Sequence, residues 1–161
     1  MTARIAIPRG DDSLGRHVLA LQRRGTVVVA TAETPAAALG QHLLRAGVAA
    51  SSLVIVDAVT PLAAMAQPPV ETVFLGDPTR LDLFASRIEK AARVHAARHV
   101  VVDSVTALLR YNTEDDVDAF VRDAALRLGA ADVDVDFVLD SGNDRMAARM
   151  KDAIAGLVTA L

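Results

Sequence analysis

Two glycines, Gly10 and Gly15, enclose four residues between an apolar run and a helix-like segment. That is the spacing of a phosphate-binding loop, G-x-x-x-x-G-K-[ST], whose backbone amides cradle phosphate oxygens. The residues that would do the chemistry differ. Arg16 stands where a lysine reaches the terminal phosphates, and His17 stands where a hydroxyl holds magnesium. Lysine is a compact ammonium and arginine a wide planar fork, so the exchange is not neutral at a tight phosphate site. Asp11 and Asp12 add two carboxylates to a loop that would have to wrap a polyanion. The competing reading of 10–15 is an ordinary strand-to-helix turn.

A second group of chemistry-bearing residues lies further along. His99–Val102 is an apolar strand that runs into Asp103 and Ser104. A carboxylate at the end of such a strand can orient magnesium through water. Glu33 follows another apolar run, in Ala30-Thr31-Ala32-Glu33-Thr34-Pro35. There it could polarise a water against a phosphate, or simply sit as an acid near a helix start, favoured by the helix dipole.

These residues need a scaffold, and the patterning provides one. Arg4–Ile7 is a short strand. His17–Arg24 reads as a helix stopped at Gly25. Thr26–Ala32 is a β-branched run suited to a strand buried on both faces. Thr34 and Pro35 signal a helix start with Thr34 as N-cap, and Gly47 ends that helix. Leu53–Val56 and Thr72–Leu75 are further strands, separated by a loop from Pro61 to Pro69. A long helix is predicted over 80–98, with Leu81, Phe84, Ile88, Ala91, Ala92 and His95 recurring at three and four. Thr113 and Asp116 form an approximate capping box for a helix with Val117, Phe120, Val121, Ala124 and Leu128 on one stripe. The last strand falls within 132–139, and a final helix starts at Asn143 or Asp144.

The order strand–helix is repeated several times. This predicts one α/β domain over residues 1–161, a mostly parallel sheet with helices on both faces. In such sheets ligands lie outside the carboxyl ends of the strands. The stretches to watch are therefore 8–17, 31–34, 57–60, 76–79, 103–106 and 140–144.

VVVDSVTALLRY at 100–111, together with ATAETP at 30–35 and the glycine-bounded loop, resembles the RecA/KaiC-type ATPases. The run Leu108-Leu109-Arg110-Tyr111-Asn112-Thr113-Glu114 and the late Leu139-Asp140 look closest to a degenerate KaiC-like group of archaea that lacks a working phosphate loop. The resemblance implies a RecA-like three-layer sandwich. By position it implies that Gly10, Ser13, Gly15, Arg16, His17 and Ser104 are residual nucleotide-binding residues. Glu33 matches one catalytic glutamate, and Asp103 would hold magnesium through water if nucleotide binds. Arg16, His17 and Thr34 depart from the active pattern. The reading that follows is a regulatory or scaffolding domain that has lost ATP hydrolysis, with no obligatory cofactor, acting through a protein partner or self-association. ATP with magnesium remains the alternative, as a residual ATPase or switch. A small-ligand sensor at the strand ends is a third.

Composition narrows the rest. With 17 Lys+Arg against 20 Asp+Glu, the net charge of −3 gives no basic field for nucleic acid. The absence of cysteine excludes disulfides, thiolate metal sites and a cysteine nucleophile. No apolar run approaches the roughly 20 residues of a membrane span. No leader pattern is read at the start of the sequence, so a cytoplasmic location is expected. His95 and His99 are four apart but fall on different predicted elements, so no zinc pair is expected. Asp132, Asp134 and Asp136 would share one strand face, expected to be solvated, a pattern that also suits a sheet edge. Met146 and Met150 are expected in the core.

Overall fold

A computed structural model describes residues 2–6, 13–65, 67–140 and 144–158. Six strands alternate with helices along it: β1 (Ala3–Ala6), α1 (Ser13–Gln22), β2 (Val27–Thr31), α2 (Ala36–Arg45), β3 (Leu53–Asp57), β4 (Glu71–Phe74), α3 (Leu81–Val94), β5 (His99–Asp103), α4 (Val105–Leu108), α5 (Glu114–Ala130), β6 (Asp134–Val138) and α6 (Asp144–Val158). Two short 3₁₀ turns, Ala50–Ser52 and Leu62–Ala64, lie in the connections. All five pairings are parallel, in the order β1-β6-β5-β2-β3-β4. This is the parallel sheet with helices on both faces that the strand–helix alternation predicts.

Side chains alternate across a strand, so a central strand of Val and Ile feeds two cores at once. Val28, Ala30, Val54, Val56, Val100, Val102, Val135 and Phe137 belong to a core built with α3, α4, α5 and α6. Val27, Val29, Leu53, Ile55, Val101 and Val138 face the other way, into a smaller core with α1 and α2. The larger core holds a stacked pair, Phe84 of α3 and Phe120 of α5, with ring centroids 5.5 Å apart. Met146 and Met150 are buried there, as expected.

Several boundaries differ from the sequence reading. α1 starts at Ser13, so Gly15 lies inside the helix. A Cβ at Gly15 would come within 2.6 Å of the Ala46 Cβ, so the missing side chain lets α1 lie close against the end of α2. α3 stops at Val94 because Ala96 turns left-handed (φ 47) and the Ala97 N–H bonds back to the Ala92 carbonyl. This frees Arg98 to pair its N–H with the Thr26 carbonyl ahead of β2.

β6 is an interior strand, flanked by β1 and β5, not an edge. Asp132 lies before it in a left-handed turn (φ 55), and Asp136 is 2% exposed. The expectation of a solvated acidic face is therefore wrong for Asp136. Its carboxylate takes Arg4 Nε at 2.8 Å and Arg4 Nη2 at 3.2 Å from β1, and His17 Nε2 lies at 2.8 Å from α1. No helix among the described residues is long and apolar enough to cross a membrane.

Candidate functional site at the strand carboxyl ends

β2 and β5 are neighbours whose onward connections part. From β2 the chain passes through α2 on one face to β3. From β5 it passes through α4 and α5 on the other face to β6. A crevice opens where strand order reverses in this way, and ligands of open α/β sheets bind there. Thr31, Glu33, Asp103 and Ser104 come together at this point.

Local hydrogen bonding fixes each of them. Thr31, fully buried at the end of β2, accepts from the Glu33 and Thr34 amides and donates its hydroxyl to the Thr34 carbonyl. The bend after β2 is therefore tied to Thr31, and Thr34 does not cap α2 as the sequence suggested. The cap comes from another strand. Asp57, buried at the end of β3, accepts from the Ala36 N–H at 2.7 Å. It also accepts from the Val59 and Thr60 amides and the Thr60 hydroxyl. A carboxylate at a helix N-terminus is doubly favoured, by the orphan N–H groups and by the dipole.

Glu33 stands on the bend, and Arg110 Nη2 donates to its Oε1 at 2.9 Å. The Ser104 hydroxyl donates to Glu33 Oε2 at 3.4 Å. Ser104 follows a cis peptide from Asp103, is fully buried, and caps α4 by accepting from the Ala107 N–H at 3.1 Å. Burial pushes the Asp103 carboxyl up to about 6, and the charges of Glu33 and Asp140 add to the shift. Asp140 is raised in the same way, by burial and by Glu33, against the opposing charge of Arg110. Glu33, Asp103 and Asp140 thus crowd together at the β2–β5 crevice, with Arg110 as the opposing charge among the described residues. Among the described residues, no group of three carboxylates or histidines is placed to hold a metal ion.

The other expected residues fall elsewhere or outside the description. Gly10, Asp11 and Asp12 lie outside the described residues. Ser13 opens α1, and Arg16 is exposed on it. His17 is held by Asp136, and Gly15 is packed against Ala46. His95 and His99 are separated, the first in the turn after α3 and the second buried in β5. Sequence reading missed Arg110 as the partner of Glu33 and Asp57 as the cap of α2. Both contacts join residues far apart in the chain, and only the position of Asp57 at a strand end gave a signal.

The all-parallel six-stranded sheet with helices on both faces has a RecA-like fold. Comparison with solved structures identifies the fold as KaiC-like. One match is a KaiC-like protein of the archaeon Pyrococcus horikoshii, at TM-score 0.63 and 16% identity, covering 87% of this chain. The match spans 62% of that protein, so this chain corresponds to less than two thirds of its length. A second is an uncharacterized Pyrococcus horikoshii protein solved in complex with an unknown peptide. It matches at TM-score 0.67 and 14% identity over 95% of this chain and 74% of its own. No family model and no curated protein matches the sequence.

Proposed function

We propose that this chain is a KaiC/RecA-like domain that has lost ATP hydrolysis and acts as a regulatory or scaffolding unit through protein–protein contacts. The observation that carries the reading is the state of His17. In an active phosphate loop this position supplies a hydroxyl to magnesium. Here the imidazole is bonded to the buried Asp136 carboxylate, which also holds Arg4 in a fork. The side chain faces the sheet, and no lysine stands beside it to reach a phosphate. Glu33, the candidate for activating water, is paired with Arg110. The peptide bound to the second structural neighbour supports a role in protein contacts for this fold. A protein partner or a second copy of the chain is the expected occupant.

A second reading is favoured by one feature. Burial and the Glu33 charge raise the proton affinity of both Asp103 and Asp140, Asp140 adds to the shift of Asp103, and a divalent cation carrying nucleotide would relieve that repulsion. In this reading the domain is a nucleotide-dependent switch. Calorimetric titration with ATP and ADP, with and without magnesium, separates the two. The scaffold reading expects no binding at millimolar nucleotide. Magnesium-dependent binding that disappears in Asp103→Ala would overturn it in favour of the switch.

A further inference from the structure

The opposite end of the sheet carries its own unexplained cluster. Arg24, Arg98, His99, Asp132 and Asp134 line a cavity of about 410 Å³ at the amino ends of β5 and β6. His99 is 2% exposed, and neither ring nitrogen has a hydrogen-bond partner. A buried polar group without a partner is costly and rare in a folded protein. Asp134 Oδ2 lies 3.9 Å from Nδ1, too far for a hydrogen bond.

The arginines are placed by the backbone. The Arg98 N–H bonds to the Thr26 carbonyl, and its own carbonyl accepts from the Asp134 N–H, so Arg98 is clamped between two strands. Its stem lies across Gly25, where a Cβ would meet Arg98 Cγ at 3.2 Å. Arg24 follows α1, its N–H bonded to the Leu21 carbonyl. Among the described residues, neither guanidinium has a hydrogen-bond or ion-pair partner. The carboxylates differ: Asp134 Oδ1 accepts from the Thr2 N–H at 2.6 Å, and Asp132 is also engaged. What the two guanidinium groups lack is therefore an acceptor.

We propose that this cavity is a binding site for a ligand bearing a single oxyanion group, held between the Arg24 and Arg98 forks above the His99 imidazole. Arginine forks suit the oxygens of carboxylate and phosphate. An oxyanion there also sets a negative charge beside the wall of the cavity that the unpartnered His99 ring forms. The nearby Asp132 and Asp134 carboxylates disfavour a polyphosphate. The site is thus distinct in place and chemistry from the crevice at the carboxyl ends, and its test does not depend on nucleotide binding there.

The groups facing His99 are Arg24 from the end of α1, Asp134 and Asp136 from β6, and Arg4 from β1. Burial and the Arg24 charge hold its pKa below the usual histidine range, against the pull of the two aspartates. An anion above the ring favours the imidazolium, so binding draws a proton onto His99 and tightens as pH falls.

The experiment titrates the full chain with sodium sulfate, inorganic phosphate and acetate, following the His99 ring nitrogens by NMR. Sulfate keeps its charge across the range and reads the pH dependence. The expected result is saturable binding that shifts the His99 signals and is tighter near pH 6 than near pH 8. A double variant, Arg24→Gln with Arg98→Gln, weakens it about tenfold or more, the equivalent of about 1.4 kcal/mol. Both substitutions lie at the surface, and an unchanged amide spectrum elsewhere verifies that the fold is kept. Preference for sulfate and phosphate assigns a phosphate- or sulfate-bearing ligand; preference for acetate assigns a carboxylate. Absence of saturation with all three anions, or equal binding by the double variant, overturns the site.

Discussion

The two ends of the sheet are built from similar residues and solve opposite problems. At the carboxyl end, acids outnumber bases among the described residues, and the buried acid Asp57 has its lone pairs filled by three backbone amides and a hydroxyl. At the amino end, donors outnumber acceptors, and His99 is buried with none. The first end is a set of turns held rigid by their own side chains. The second keeps a polar demand that the described residues do not meet. The RecA-like fold directs attention to the first end, whereas the hydrogen-bond accounting directs it to the second.

The largest expected effect breaks the saturated end. Asp57→Ala strands the Ala36, Val59 and Thr60 donors in a buried place and removes the cap of α2. We expect about 3–4 kcal/mol of destabilisation, read as a lower urea midpoint at unchanged slope. A loss below about 1 kcal/mol would show that water replaces the carboxylate and that this end is less closed than its geometry indicates.

Next comes the charge crowding at Asp103. Its folded pKa, about 6, lies above the usual aspartate value, so the folded state binds the extra proton between the two. Stability should be greatest below about pH 4 as far as this group is concerned, and should fall as pH rises to about 6. Asp103→Asn removes that slope and stabilises the protein at pH 7.5 by about 2 kcal/mol. Denaturation curves of both proteins at pH 5 and 7.5 check the sign. An asparagine variant with the parent's pH dependence would mean that Asp103 is not the group under strain.

The smallest effect sharpens the amino end. Gly25 has φ 136 and sits under the Arg98 stem. Gly25→Ala both strains the backbone and lifts Arg98, at a cost of about 1–2 kcal/mol. Anion binding at the amino end should weaken with it, while the Asp103 pH dependence stays as it was. Parallel loss of both properties would show that the two ends are not independent.

The sequence made the sheet legible because β-branched runs such as Thr26–Ala32 and Leu53–Val56 admit few other readings. The capping box of Thr113 and Asp116 was equally plain, since both partners lie within one turn, and the structure contains it. Strand order was not legible. Nothing local distinguishes β6 as interior, and its alternating aspartates read as a wet face. Asp136 is buried because Arg4 and His17, 132 and 119 positions away, satisfy its charge. Burial raises its pKa, but the hydrogen bonds and positive charges of those two residues outweigh that and hold it low.

Glu33, Asp103 and Ser104 were singled out from their places at or just past predicted strand ends and from the family resemblance, and the structure brings them together at the ends of β2 and β5. Arg110 was part of a motif but had no assigned partner, and His99 read as a strand residue. Contacts that depend on which strands become neighbours are invisible to patterns counted in threes, fours and twos.

The capping of α2 by Asp57 bears on how the chain assembles. The first turn of α2 receives its acceptor from 21 residues downstream, so the helix cannot be completed until β3 has aligned beside β2. Strand, helix and strand from 27 to 60 are therefore bound into one cooperative step: an early α2 would have a frayed start, and the docking of β3 would close the helix and extend the sheet together.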